Sequence, residues 1–76
     1  MITVKLYGLL RIESGIRERK LKVNSVKDAL NALAAEGVSK KNLNGCVVLV
    51  NGKNAGNRTK LKDGDTVVLM SPVAGG

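Results

Sequence analysis

Lys62-Asp63-Gly64-Asp65-Thr66-Val67-Val68-Leu69-Met70 reads as a tight turn leading straight into a strand. Asp and Gly supply the local hydrogen bonds and backbone freedom that turns demand, and the residues from Thr66 onward favour a pleated, half-buried surface. Pro72 follows closely. It has no N–H for a sheet ladder and biases Ser71 toward extended backbone, so strand pairing is expected to stop near Ser71. Upstream, Cys46-Val47-Val48-Leu49-Val50 is a nearly continuous apolar run, read as a strand more deeply buried than the N-terminal pair and closed by an Asn51-Gly52 turn.

Nearer the N-terminus the period changes. Ile2, Val4 and Leu6 alternate with Thr3, Lys5 and Tyr7, which predicts a strand over 2–7 with one buried face. After a loop containing Gly8 and Gly15, Leu21 and Val23 alternate with basic residues, so a second strand over about 19–23 should form an antiparallel hairpin with the first. Ser25-Val26-Lys27-Asp28 is a capping-box-like helix start. Val26, Ala29, Leu30, Leu33 and Ala34 then recur at helical spacing, with Gly37 placed to stop the helix. The order β-β-α-β-β predicts an α+β domain: one helix laid on a mixed sheet over residues 1–70, with a flexible tail over 71–76.

Composition bounds the chemistry. A chain of 76 residues with 43% hydrophobic content buries only about 60 to 65% of its unfolded surface, too little to enclose a large active site. His and Trp are absent, Tyr7 is the only aromatic residue and Cys46 the only cysteine, which speaks against redox, haem and zinc chemistry and predicts no bound metal or cofactor. Cys46 itself reads as a small core hydrophobe. No apolar run approaches membrane-spanning length and no secretory signal pattern opens the chain, so a cytoplasmic protein with no membrane partner is expected. Thirteen Lys and Arg against six Asp and Glu give a net charge of +7, consistent with a nucleic-acid partner or an acidic protein. With only Tyr7 available for base stacking, nucleic acid is the weaker option.

The last residues carry the candidate chemistry. Gly75 and Gly76 lack Cβ, so a terminal carbonyl there is open to attack from either side. A segment from Ser71 to Gly76 could reach on the order of 20 Å beyond the folded body, enough to fill an enzyme channel. From the two glycines alone, a frayed end is the simpler reading.

Taken together, Tyr7-Gly8-Leu9-Leu10-Arg11, Val50-Asn51-Gly52, Leu61-Lys62-Asp63-Gly64-Asp65-Thr66-Val67 and Pro72-Val73-Ala74-Gly75-Gly76 extend the reading to a family. The chain resembles the MoaD/ThiS-type ubiquitin-like β-grasp sulfur carriers, and in particular the small subunit of molybdopterin synthase. The resemblance implies that an E1-like enzyme uses ATP and Mg²⁺ to adenylate the carboxylate of Gly76. Sulfur then displaces AMP to leave a thiocarboxylate, which a large partner subunit receives and delivers to a pterin in molybdenum cofactor synthesis. Catalytic groups for that transfer would lie on the partner.

By the same resemblance Gly76 bears the reactive group, and Val73, Ala74 and Gly75 enter the partner. Tyr7 and Met70 match partner-facing positions, although ordinary sheet residues would look the same. Arg11 matches a recurrent loop arginine, for which a solvated charge is the plainer reading. Where the family often has paired aromatics and a second proline, this chain has Leu69, Met70 and Ser71, and many such carriers are less basic. Three other functions share these features: a thiamin-type sulfur carrier, a ubiquitin-like modifier joined to proteins through Gly76, and a basic nucleic-acid-binding β-grasp module.

Overall fold

A computed structural model of the chain describes residues 1–71. Eight elements follow in order: β1 (Ile2–Gly8), α1 (Leu9–Ser14), β2 (Glu18–Leu21), α2 (Val26–Ala35), α3 (Lys40–Asn44), β3 (Val47–Val50), β4 (Lys53–Asn54) and β5 (Thr66–Ser71). The strands form one mixed sheet in the order β2-β1-β5-β3-β4. β1 and β5 run parallel at its centre, while β2 on one flank and β3 on the other pair antiparallel. The expected hairpin of the first two strands is present. So is the β-grasp arrangement of a helix packed across a mixed sheet.

Strand parity decides which residues are buried. Ile2, Val4 and Leu6 of β1, Val67 and Leu69 of β5 and Val48 of β3 turn to one face, where they meet Val26, Ala29, Leu30 and Leu33 of α2. Local chemistry fixes both ends of α2. Ser25 Oγ accepts from the Asp28 N–H at 3.1 Å, the N-cap that the sequence predicts. At the other end Gly37 has φ 97° and donates to Ala34 O, and Val38 donates to Leu33 O, a Schellman stop that buries Val38.

The turns are built as their residues suggest. Asn51 and Gly52 both have positive φ, 51° and 84°, as a type I′ turn between β3 and β4 requires. Asn51 also holds the start of β5: its N–H donates to Thr66 O at 2.8 Å, and its Oδ1 accepts from Thr66 N–H at 3.0 Å. Asp65 completes this clasp, accepting from Asn51 Nδ2 at 2.9 Å and from the Lys62 N–H at 2.8 Å. These bonds to the charged form, with the Lys62 charge nearby, hold the Asp65 carboxyl below its ordinary value; the Lys62 amide is the largest cause.

Several expectations need correction. The stretch after β1 is a helix rather than a loop: α1 starts at Gly8 without a side-chain cap and ends at Gly15, whose φ of 74° and N–H bond to Arg11 O close its last turn. A second short helix, α3, is capped by Ser39 accepting from Asn42 N–H and anchored by buried Leu43. β4 adds a fifth strand. β2 covers Glu18–Leu21, so Val23 lies beyond it, packed against the core from the following segment. The expectation that β3 is buried more deeply than both N-terminal strands holds against the exposed β2 but not against β1: Val47 is exposed and only Val48 is buried, because β3 has only the two-residue β4 outside it while β1 alternates Ile2, Val4 and Leu6 into the core.

Candidate functional site

The helix α2 covers one face of the sheet, and among the described residues no helix covers the other. On that open face parity places Thr3, Lys5 and Tyr7 of β1, Thr66, Val68 and Met70 of β5, and Val47 and Leu49 of β3. Register then aligns three of them. Tyr7 pairs with Met70 across the parallel ladder, and Met70 pairs with Val47 across the antiparallel one. The result is one row spanning three adjacent strands, with Tyr7 38%, Met70 45% and Val47 45% exposed. Five large apolar side chains are counted as exposed among the described residues, and three of them stand in this row. Contiguity, rather than exposure alone, makes it a candidate interaction surface.

The next register step is where the described chain ends. Gly8 pairs with Ser71, whose side chain is buried although polar. Gly8 has φ 68° and ψ −140°, and a Cβ there would lie 1.9 Å from the Ser71 carbonyl oxygen. Only glycine lets β1 turn into α1 while its backbone lies against the last residue of β5. β5 thus ends beside the Tyr7–Met70–Val47 row, packed against Gly8. α1 and α3 flank this end of the sheet, tied by Asn42 Nδ2 donating to Glu13 Oε1 at 2.8 Å, and Leu9, Lys41 and Gly45 line a shallow depression with Ser71.

Tyr7 and Met70, expected on a partner surface, are therefore brought side by side. Val47 and Gly8 were missed as contributors. Val47 could have been found by carrying strand parity outward from buried Val48, whereas the Gly8–Ser71 approach follows from the parallel register, which no local motif encodes. Arg11 lies in the last turn of α1 rather than in a loop. Val73, Ala74, Gly75 and Gly76 lie outside the described residues.

Cys46 precedes β3, half-buried against the core, with its Sγ donating to Leu43 O at 3.0 Å. Burial pushes its thiol up from the ordinary value, the opposite of what a nucleophilic cysteine needs. Among the described residues no group of three His, Cys, Asp or Glu side chains could hold a metal ion, and no helix is long and apolar enough to cross a membrane.

The fold and its open face define a ubiquitin-like β-grasp domain with a surface suited to docking another protein. The chain belongs to the ThiS family of ubiquitin-like sulfur carriers, whose family model matches residues 4–76. Among solved structures it is similar to SAMP1 from Haloferax volcanii, with 28% identity, a TM-score of 0.84 and coverage of 99% of this chain and 98% of that one. It is also similar to a chain in the complex of subunits 1 and 2 of molybdopterin-converting factor from Helicobacter pylori (29% identity, TM-score 0.75, coverage 99% and 97%). A chain of the BexX/CysO complex from Amycolatopsis orientalis matches over 100% of both chains, with 26% identity and a TM-score of 0.70. Comparison with curated proteins finds no significant match.

Proposed function

We propose that the protein carries sulfur as a thiocarboxylate on Gly76 and acts as the small subunit of a molybdopterin synthase. The observation that carries this reading is the likeness over 99% of the chain to a molybdopterin-converting factor chain solved in complex with its partner subunit. The family match, which runs through Gly75 and Gly76, supports the carrier chemistry.

A free carboxylate is a poor electrophile because expelling its oxygen is unfavourable. Attack of the Gly76 carboxylate on the α-phosphorus of ATP releases pyrophosphate and leaves a mixed anhydride with AMP. A sulfur nucleophile at the carbonyl carbon then expels AMP and forms the C–S bond. ATP and Mg²⁺ belong to an E1-like activating enzyme, and the groups that transfer sulfur onward belong to the large subunit. This chain contributes binding and reach: the Tyr7–Met70–Val47 row docks the partner, while Val73, Ala74 and Gly75 lead Gly76 into its active site. A cytoplasmic location follows from this role.

The likeness to SAMP1, a small archaeal modifier protein, favours a second reading in which the activated Gly76 is joined to a lysine of another protein. Activation is common to both readings. Incubation with the activating enzyme from the same cells, ATP and Mg²⁺ should give an AMP adduct on the full chain and none on a chain lacking Gly76. An equal adduct on the shortened chain would refute the assignment of Gly76. With the sulfur donor and large subunit added, sulfur transfer to a pterin precursor supports the synthase reading, and isopeptide-linked products support the modifier reading.

A further inference from the structure

Folding gathers part of the chain's positive charge at the end of the sheet opposite Ser71. There β1 starts at Ile2 beside Leu21, the last residue of β2, and β5 enters at Thr66. The segment leading into α2 lies against the approach to β5. The Leu61 N–H donates to Asn24 O at 2.8 Å, and the Val26 and Lys27 N–H groups donate to Thr59 O and Asn57 O, each at 3.0 Å. An isolated bridge pairs Ser25 with Lys60. Leu21, Val23, Val26 and Leu61 pack into or against the core, which turns Lys22, Lys27 and Lys60 outward, and Arg58 is exposed on the same segment as Lys60. Across residues 22–28 and 57–61 Asp28 is the single acid. The ion pairs among the described residues are Met1 with Asp63 and Arg19 with Glu36, and neither involves these four cations.

We propose that Lys22, Lys27, Arg58 and Lys60 hold the phosphate backbone of a nucleic-acid duplex. Between the cations stand exposed Asn24 and Asn57, with Met1 only at the margin. That composition suits phosphate oxygens and lacks the apolar centre of a protein interface. The first amides of α2 are already taken by the Thr59 and Asn57 carbonyls and by Ser25 Oγ, so the four side chains supply the charge. A single strand is the poorer fit: it binds by stacking bases on rings, and Tyr7, the only aromatic residue, stands near the other end of β1. A duplex needs no ring, because its phosphates lie on the outside, in RNA and DNA alike. Ile2 and Gly8 are about 20 Å apart along β1, so a duplex held here leaves the Ser71 end uncovered. The inference goes beyond the sulfur-carrier reading and does not rest on it.

Fluorescence anisotropy of the full chain with a labelled RNA duplex, and with a DNA duplex of the same sequence, at about 50 and about 200 mM salt is the test. Four neutralised phosphates give a log–log salt slope of about −3.6, and so an affinity about 150-fold lower at the higher salt. Lys27→Gln/Arg58→Gln/Lys60→Gln should weaken binding by about tenfold or more at low salt and reduce the slope by about 3. Arg58→Glu alone, at an exposed loop site, should weaken it severalfold and keeps the test decisive if the triple variant folds poorly. Arg11→Gln/Arg17→Gln/Lys41→Gln removes the same charge nearer the Ser71 end, where Lys41 shares a depression with Ser71 and the Arg17 carbonyl accepts from Leu6 N–H. This control should bind within about threefold of the wild type, because charges beyond a Debye length are screened.

Comparable affinity for the two duplexes would place recognition on the backbone they share, and tighter binding to one would name that duplex as the source; either upholds the proposal. No duplex binding at low salt would overturn it, as would unchanged affinity in the patch variants. An equal loss in the control would overturn it by reducing the effect to net charge. Tighter binding to polyglutamate than to either duplex would do so by making the surface one for an acidic protein. Duplex binding that needs the patch, on a chain that never acquires sulfur, would uphold the surface and refute the carrier reading alone.

Discussion

Gly8→Ala should be among the most damaging single-methyl additions in this protein. At φ 68° and ψ −140° Gly8 occupies backbone space that L side chains rarely enter, at a cost of about 1 to 3 kcal/mol. The added Cβ would also sit 1.9 Å from the Ser71 carbonyl oxygen and 3.0 Å from its carbon, so β1 and β5 must separate at their shared end. Overpacking of this kind adds about 1 to 3 kcal/mol, for a total near 2 to 6. At roughly 0.05 to 0.15 kcal/mol per residue the whole 76-residue chain has only about 4 to 11 kcal/mol to lose. Urea unfolding followed by far-UV circular dichroism, with Tyr7 fluorescence as a reporter one residue away, measures the loss. Gly15→Ala is the matched control: its φ is also positive, 74°, but nothing lies within 4 Å of a Cβ there, so about 1 kcal/mol is expected. A Gly8→Ala variant no less stable than Gly15→Ala would refute the close-approach argument.

Other expectations follow from the core, the turn clasp and the open face. Leu33→Ala, at a fully buried position of α2, should cost about 2 to 5 kcal/mol in the same unfolding assay without altering AMP-adduct formation per folded molecule. Because folding holds Asp65 below its ordinary carboxyl value of 3.8, its contribution is present above that pH and lost as pH falls through it towards the folded value; Asp65→Asn should weaken stability at neutral pH and flatten this acid limb. Cys46→Ala should leave AMP-adduct and thiocarboxylate formation intact, since the half-buried, raised thiol is no sulfur carrier, and lost sulfur uptake in this variant would contradict that reading. Met70→Asp, at a 45% exposed site, should leave folding nearly unchanged while weakening partner binding more than tenfold, read by calorimetry against the large subunit.

What could be seen in the chain beforehand depended on how local each signal was. The α2 helix was legible because a cap, an apolar stripe and a glycine stop agree within thirteen residues, Ser25 to Gly37. The strand from Thr66 and the two glycine-containing turns were legible for the same reason, although the strand runs past Met70 to include the buried Ser71, which the expected tail over 71–76 had claimed. By contrast, α1 and α3 contain six and five residues and bury one side chain each, too little for a period to emerge, and β4 is a two-residue extension set by its turn. The burial of β3 relative to β1 was misjudged because an apolar run reveals composition and not position in the sheet order. The apolar row was half visible: Tyr7 and Met70 were named by resemblance, but their adjacency, and that of Val47, is created by β1–β5–β3 register across the length of the chain.

The central claim is that Gly76 carries sulfur, and an intact-mass spectrum of the protein purified from its own cells tests it most directly. The account predicts a population in which one C-terminal oxygen is replaced by sulfur, mapped by fragmentation to Gly76 and absent when the activating enzyme is deleted. An unmodified mass in all growth conditions, together with no AMP adduct when that enzyme and ATP are supplied, would contradict it.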